Sequence, residues 1–237
     1  MTNRGKRYQD AATLVEEDRV YEPLEAIALA KQTATAKFDE TVELHLRTGA
    51  DPRHADQNVR GVANLPHGVG REVRVVVFAE GETASIALGA GADHAGGDDI
   101  IKRIEDGWTD FEVSIATPDM MVRVGRLGRI LGRRGLMPNP RTGTVVQPED
   151  IPRAVNEAKM GRVEYRVDRT SLIHVPIGKA SFEDNQLLEN MTALIDNIMR
   201  ARPGGIKGQF IHSAYITTTM GPSIALDVAL TTALKVE

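Results

Sequence analysis

A chain of 237 residues with 41% apolar side chains can bury a core in one large domain or two smaller ones and is too apolar to be disordered. Its net charge is −4, so contact with a polyanion must come from a local concentration of positive charge. Cysteine is absent, which excludes disulfides, thiol catalysis and cysteine-ligated zinc. Aromatics, at 4%, are too few for a surface that stacks many bases, so phosphates, backbone groups and shape would dominate any nucleic-acid recognition. No apolar run approaches the ~18 residues of a membrane helix. The N-terminal MTNRGKRYQD has basic residues with no apolar stretch behind them, so no secretory signal is expected and the cytoplasm is the default compartment.

In chain order, Pro23 opens a helical pattern with Leu24, Ile27 and Ala28 on one face. Lys37–Arg47 then alternates, with Val42, Leu44 and Leu46 to one side and Thr41, Glu43, His45 and Arg47 to the other, the pattern of a half-covered strand. A polar, loop-like stretch over 50–61 leads to a Pro/Gly cluster at Leu65–Gly70, a first candidate hinge. Val73–Phe78 reads as a buried strand and Glu82–Gly89 as a short helix. Asp98–Asp106 reads as a second helix, with Ile100, Ile101 and Ile104 inward, and Phe111–Ala116 as a strand. Met120–Leu131 has helical texture before a glycine-rich loop, and Pro148 opens a helix with Ile151, Ala154, Val155 and Ala158 as its stripe. Gly161 stops that helix and is the second candidate hinge. Leu172–Ile177 is a strand, and Ser181 with Asp184 has capping-box spacing. Leu187, Leu188, Met191, Leu194, Ile195, Ile198 and Met199 form the clearest helical stripe in the chain. Phe210–Met220 is a last strand, closed by Gly221-Pro222. Alternating strands and helices between the hinges, flanked by antiparallel texture, predict a domain made from both chain ends with an α/β domain inserted.

Between Asp119 and Glu149 there is no acid, while Arg123, Arg126, Arg129, Arg133, Arg134 and Arg141 alternate with Gly125, Gly128, Gly132 and Gly135. Arginine's planar fork suits phosphate oxygens, and the Gly/Pro density points to an irregular loop with close backbone approach in its second half. The alternative is a charge run that merely faces water. Neither a phosphate loop nor a dinucleotide turn is matched, because no Lys-Ser/Thr pair follows the glycines and no strand directly precedes them. Six histidines lack zinc-type helical spacing, the adjacent acids diverge on their helix, and no nucleophile elbow is present, so an enzyme reading has no anchor. Thr217-Thr218-Thr219-Met220-Gly221-Pro222-Ser223 reads by default as an edge strand entering a turn. Three hydroxyls, a thioether and a bare glycine also make a low surface able to hydrogen-bond a nucleic-acid backbone, and Lys37-Phe38 with Thr41 adds a cation, a ring and a further hydroxyl.

Ala36-Lys37-Phe38-Asp39-Glu40-Thr41-Val42-Glu43-Leu44, Asp51-Pro52-Arg53, Asp56-Gln57-Asn58-Val59-Arg60-Gly61 and Leu65-Pro66-His67-Gly68 occur in that order. They are followed by Gly91-Ala92-Asp93, Ala116-Thr117-Pro118-Asp119, Leu127–Gly132, Gly135-Leu136-Met137-Pro138-Asn139-Pro140, Gly178–Phe182 and Thr217–Ser223. Together, over nearly the whole chain, they resemble the L-one family of bacterial large-subunit ribosomal proteins. The resemblance implies an α+β and α/β fold: a two-layer terminal domain from both chain ends (1–68 and 161–237) with an inserted Rossmann-like three-layer α/β domain (69–160). It implies a non-enzymatic protein of the large ribosomal subunit, without cofactor or metal and monomeric when free. Such a protein binds large-subunit rRNA at the mobile stalk near the exit-site tRNA, assists tRNA release, and represses translation of its own operon mRNA. Carried onto this sequence, the RNA surface uses Lys37, Phe38 and Thr41 with Thr218, Thr219, Met220 and Gly221, and with His174, Lys179 and Ser181 beside them. Arg126, Arg129, Arg133 and Arg134 are then assigned secondary phosphate contacts to rRNA or tRNA. Arg133 departs from the proline usual there, and the apolar tail from Ile224 to Glu237 runs longer than the resemblance leads one to expect. Two rival readings remain: a nucleotide-binding α/β enzyme, against which Phe78-Ala79-Glu80-Gly81-Glu82 is acidic where phosphate would sit, and a protein-interaction scaffold.

Overall fold

The computed structural model describes residues 5–16 and 18–235. The chain runs α1 (Lys6–Ala12), α2 (Pro23–Thr33), β1 (Thr41–Thr48), β2 (Arg60–Asn64), β3 (Val75–Phe78), α3 (Glu82–Gly89), β4 (His94–Gly96), α4 (Asp98–Glu105) and β5 (Val113–Ala116). It continues through α5 (Met121–Val124), α6 (Gly128–Arg134), α7 (Ile151–Lys159), β6 (Arg162–Arg166), β7 (Leu172–Lys179), α8 (Asp184–Arg200), β8 (Ile211–Thr218), β9 (Ile224–Leu226) and α9 (Val228–Ala233). The described residues fall into two compact units: a terminal unit from residues up to Gly70 and from Arg162 onward, and an inserted unit, Arg71–Gly161.

The terminal unit is built on an antiparallel sheet in the order β7-β1-β8-β9. Alternation along β1 buries Val42, Leu44 and Leu46, and along β7 it buries Ile173, Val175 and Ile177. These side chains meet Ile27 and Ala30 of α2 and Leu187, Met191, Leu194 and Ile198 of α8 in one core. In α2 the buried face is Pro23, Ala26, Ile27, Ala30 and Thr33, not the expected Leu24 and Ala28; Leu24 is exposed. The capping box of α8 is Glu183 with Gln186 rather than Ser181 with Asp184. Ser181 is committed elsewhere: its amide and hydroxyl both donate to Asp39.

Two features of this unit depart from the sequence reading. The polar stretch read as a loop ends in β2, which pairs with β6 in an antiparallel ribbon from Arg60↔Arg166 to Asn64↔Arg162. Gly and Asn are poor strand formers, so packing decides here: Tyr165 is buried and donates to Asn197 Oδ1 at 2.8 Å, and Gly61 opposite it leaves no room for a Cβ beside the Tyr165 ring. The tail, whose role the sequence does not reveal, supplies β9 and α9. Tyr21 donates its amide to Ala225 and accepts from Asp227 through its carbonyl, both at 2.9 Å, so β9 is held on both sides.

The inserted unit has a parallel sheet in the order β4-β3-β5. Apolar clusters on the two sheet faces bury α3 and α7 on one side and α4 with the 120–131 segment on the other, which makes three layers. Val75–Phe78 is wholly buried because both faces are covered. β4 is three residues long and carries no periodic signal. The segment after β5 differs from expectation: helical turns continue to Arg134, where Gly135 adopts a left-handed φ of 71° and ends α6. Arg133 and Arg134 therefore lie on a helix, not in a loop. A Cβ at Gly125, Gly128, Gly132 or Gly135 would meet nothing within 4 Å, so these glycines do not mark close backbone approach within the chain.

Candidate nucleic-acid interface

At one end of the terminal sheet the first and last strands of the resemblance meet. β1 pairs with β8 through Val42↔Thr218, and the Thr219 amide donates to the Thr41 carbonyl at 3.1 Å. Thr219 Oγ1 in turn accepts from the Thr41 amide at 3.0 Å. On the other side of β1, Thr41 faces Lys179, whose Nζ donates to Thr41 Oγ1 at 2.9 Å. Ahead of the strand, Lys37 and Phe38 lie in a bend rather than in the strand itself, and both are exposed.

The residue that joins these pieces is Glu40. It is 1% exposed, the only charged side chain among the described buried residues. Its Oε1 accepts the Ala36 amide at 2.8 Å and its Oε2 the Met220 amide at 2.9 Å. A buried carboxylate is tolerated only when its oxygens are hydrogen-bonded, and here two backbone donors from segments 184 residues apart along the chain (220 − 36) satisfy it. Asp39 makes the matching link to Ser181. Neither acid was singled out from the sequence; an acidic pair opening a strand whose next residues alternate was the available signal. Around this clamp Phe38 and Met220 stand 55% and 49% exposed, large apolar groups at the edge of a polar, hydrogen-bonded floor.

Two expected contact residues also face the interior. Thr218 is 3% exposed, so its side chain supports the turn from beneath. A Cβ on Gly221 would run into Thr218 Oγ1 and come within 3.2 Å of Thr33 Oγ1, so glycine there lets the turn pack inward while its backbone stays part-exposed. His174 lies across from His45, about 13 Å along β1 from Thr41 at the usual rise per residue, on the solvent side of the sheet. Burial holds the His45 imidazole below its ordinary pKa; the neighbouring His174 adds to this and Glu43 opposes it.

In the inserted unit Arg126, Arg129, Arg133 and Arg134 are exposed. Arg123 is neutralised by Glu80 and Asp98, and Arg134 donates to the Thr109 hydroxyl. Arg126, Arg129 and Arg133 have no ion pair among the described residues. Glu80 and Asp98, with Arg123 across them, follow the carboxyl ends of β3 and β4, where a parallel sheet receives a nucleotide. Two carboxylates at that place disfavour phosphate. Among the described residues no three His, Asp or Glu side chains converge as a metal site, and no helix is long and apolar enough to cross a membrane.

The model of the ribosomal protein L1p/L10e family matches residues 30–222. The chain is 56% identical over 234 residues to the large ribosomal subunit protein uL1 of Dehalococcoides mccartyi, covering 99% of both chains. It is 58% identical over 232 residues to that of Thermomicrobium roseum, covering 98% of this chain and 96% of the relative. It is 55% identical over 236 residues to that of Chloroflexus aggregans, covering 99% and 100%. These spans include the tail, so its length is shared with these relatives.

Proposed function

The chain belongs to the ribosomal protein L1p/L10e family, and we propose that it binds a folded stalk of large-subunit rRNA through the surface organised by Glu40. Like its relatives it is a structural protein of the large ribosomal subunit, not an enzyme, and it works where ribosomes do. The observation that carries the RNA reading is the meeting of Lys37-Phe38, Thr41, Lys179 and Thr219-Met220 around one buried carboxylate. A floor whose own hydrogen bonds are already made is pre-organised, so little ordering remains when RNA arrives. Lys37 and Lys179 supply charge, Phe38 and Met220 pack on ribose or base, and the Thr41 and Thr219 hydroxyls keep lone pairs for ribose hydroxyls. Ser181 borders this floor, and His174 lies farther along the same sheet.

Within the ribosome this grip places the protein on the mobile stalk, beside the exit-site tRNA whose departure it assists. The same surface binds a matching fold in the mRNA of its own operon and so represses its translation; off the ribosome the protein is a monomer. A filter-binding competition tests the core of this reading. The rRNA stalk fragment is expected to displace labelled operon mRNA, while random RNA of equal length is not; equal displacement by both would sink it.

The exposed arginines of the inserted unit add phosphate contacts to rRNA or tRNA. Replacing Arg133 and Arg134 by alanine is expected to leave discrimination between RNAs intact. The log–log salt slope should fall by about one unit for each phosphate that is no longer neutralised. An unchanged slope removes this helix from the interface.

A further inference from the structure

His45 of β1 and His174 of β7 are cross-strand partners 129 residues apart, with their Nδ1 atoms 2.7 Å from each other and their rings edge to face. Their outer nitrogens each look towards a carboxylate: His45 Nε2 lies 3.8 Å from Glu43 Oε2, and His174 Nε2 lies 3.7 Å from Asp168 Oδ2. Asp168 is fixed in place, because its Oδ1 accepts the Thr170 and Leu172 amides at 2.7 and 2.8 Å and its Oδ2 the Thr170 hydroxyl at 2.7 Å.

Counting protons exposes a conflict. Two neutral imidazoles carry two N–H protons for four nitrogens. If both protons sit on Nε2, facing the carboxylates, two bare Nδ1 lone pairs oppose each other at hydrogen-bond distance. If one sits between the rings, one Nε2 lone pair faces a carboxylate. In that second arrangement water must supply the proton for the bare Nε2, since both side chains reach solvent; a further cation held by the two Nδ1 atoms satisfies all four positions from within. That cation is either a third proton or a metal ion.

We propose that His45 and His174 form a two-imidazole binding site for a late first-row divalent cation, of the Cu2+ or Ni2+ type, on the open face of the terminal sheet. Imidazole is a good ligand for these ions, and a carboxylate 3.7–3.8 Å behind each ring draws the ring proton to Nε2, leaving Nδ1 free to ligate; closing to hydrogen-bond distance would raise ligand basicity further. Geometry selects among metals. With metal–nitrogen bonds of about 2.0–2.1 Å, widening the nitrogen separation to about 2.9 Å gives the 90° angle of adjacent tetragonal ligands, whereas a tetrahedral zinc angle needs about 3.3–3.4 Å. The first requires a shift of about 0.2 Å from the observed spacing and a turn of each ring that swings its Nδ1 lone pair from the partner nitrogen to the shared ion. The side chains are 24% and 48% exposed, so the ion can enter and water can complete its coordination. Helical spacing rules do not reveal such a site, because its two ligands come from different strands.

The test is titration of the full-length protein with CuCl2 and NiCl2, followed by calorimetry and, for Cu2+, by electron paramagnetic resonance. One ion per chain with two nitrogen ligands is expected, and Ni2+ should bind more tightly than Zn2+. His45→Gln and His174→Gln should each weaken binding at least tenfold, Glu43→Gln and Asp168→Asn about 10- to 100-fold, and His54→Gln not at all. Circular dichroism checks that each variant is folded. Binding that persists unchanged in His174→Gln, a single-nitrogen Cu2+ spectrum, or equal loss in His54→Gln would overturn the assignment.

Discussion

Replacing Glu40 by alanine is expected to destabilise the terminal unit by about 2–4 kcal/mol and to abolish tight RNA binding. The energetic argument is local. Two backbone amides, of Ala36 and Met220, lose a charged acceptor in a place where the carboxylate is almost fully buried. Hydrogen bonds to charged groups contribute more than neutral ones, and an orphaned buried donor costs about 1–3 kcal/mol. Among the described residues no other side chain bonds both the bend carrying Lys37 and Phe38 and the turn carrying Met220, so the loss should also scatter the proposed contact groups. Glu40→Gln, which keeps one acceptor, should fall between the parent and the alanine variant. Urea unfolding followed by circular dichroism gives the stability term and filter binding gives the RNA term. An alanine variant as stable as the parent would remove Glu40 from the centre of the site.

The second large effect concerns the exposed groups. Truncating Thr219 and Met220 together to alanine should weaken binding of an rRNA stalk fragment by about 1–3 kcal/mol, or about 5- to 150-fold. The single variants separate support from contact. Thr219 Oγ1 accepts the Thr41 amide, so its removal also loosens the strand pair. The Met220 side chain is half exposed, and the hydrogen bond that ties this residue into the fold is made by its backbone amide. Met220→Ala should therefore leave the unfolding midpoint unchanged while lowering affinity. A folded Met220→Ala protein with parental affinity would take that side chain out of the interface.

The sequence was most readable where burial follows a simple period. Val42, Leu44 and Leu46 alternate, and α8 carries a complete apolar stripe; both lie where the pattern puts them. Reading failed where tertiary packing overrides composition. β2 and β6 are strands because Tyr165 has a pocket and a hydrogen-bond partner, not because Gly and Asn prefer extended backbone. The helical turns up to Arg134 persist through Gly125, Gly128 and Gly132 because Val124, Leu127 and Leu131 anchor their inner face. At the candidate site, the exposed groups were visible as a motif, but the buried acid that joins them was not. A carboxylate's role depends on which distant amides it meets, and those belong to another part of the chain. The burial of Thr218 escaped for the same reason: a run of threonines does not say which hydroxyl faces in.

The strand order of the terminal sheet has a consequence for how the chain is made. β1 lies between β7 and β8, so its first neighbour begins at Leu172 and its second at Ile211. During synthesis, residues 41–48 must wait with both edges bare while more than a hundred others are added, among them all of Arg71–Gly161, which carries its own two apolar clusters. The segment born in the middle can therefore reach its native shape while the segment born first is still unpaired, and the order of folding inverts the order of translation.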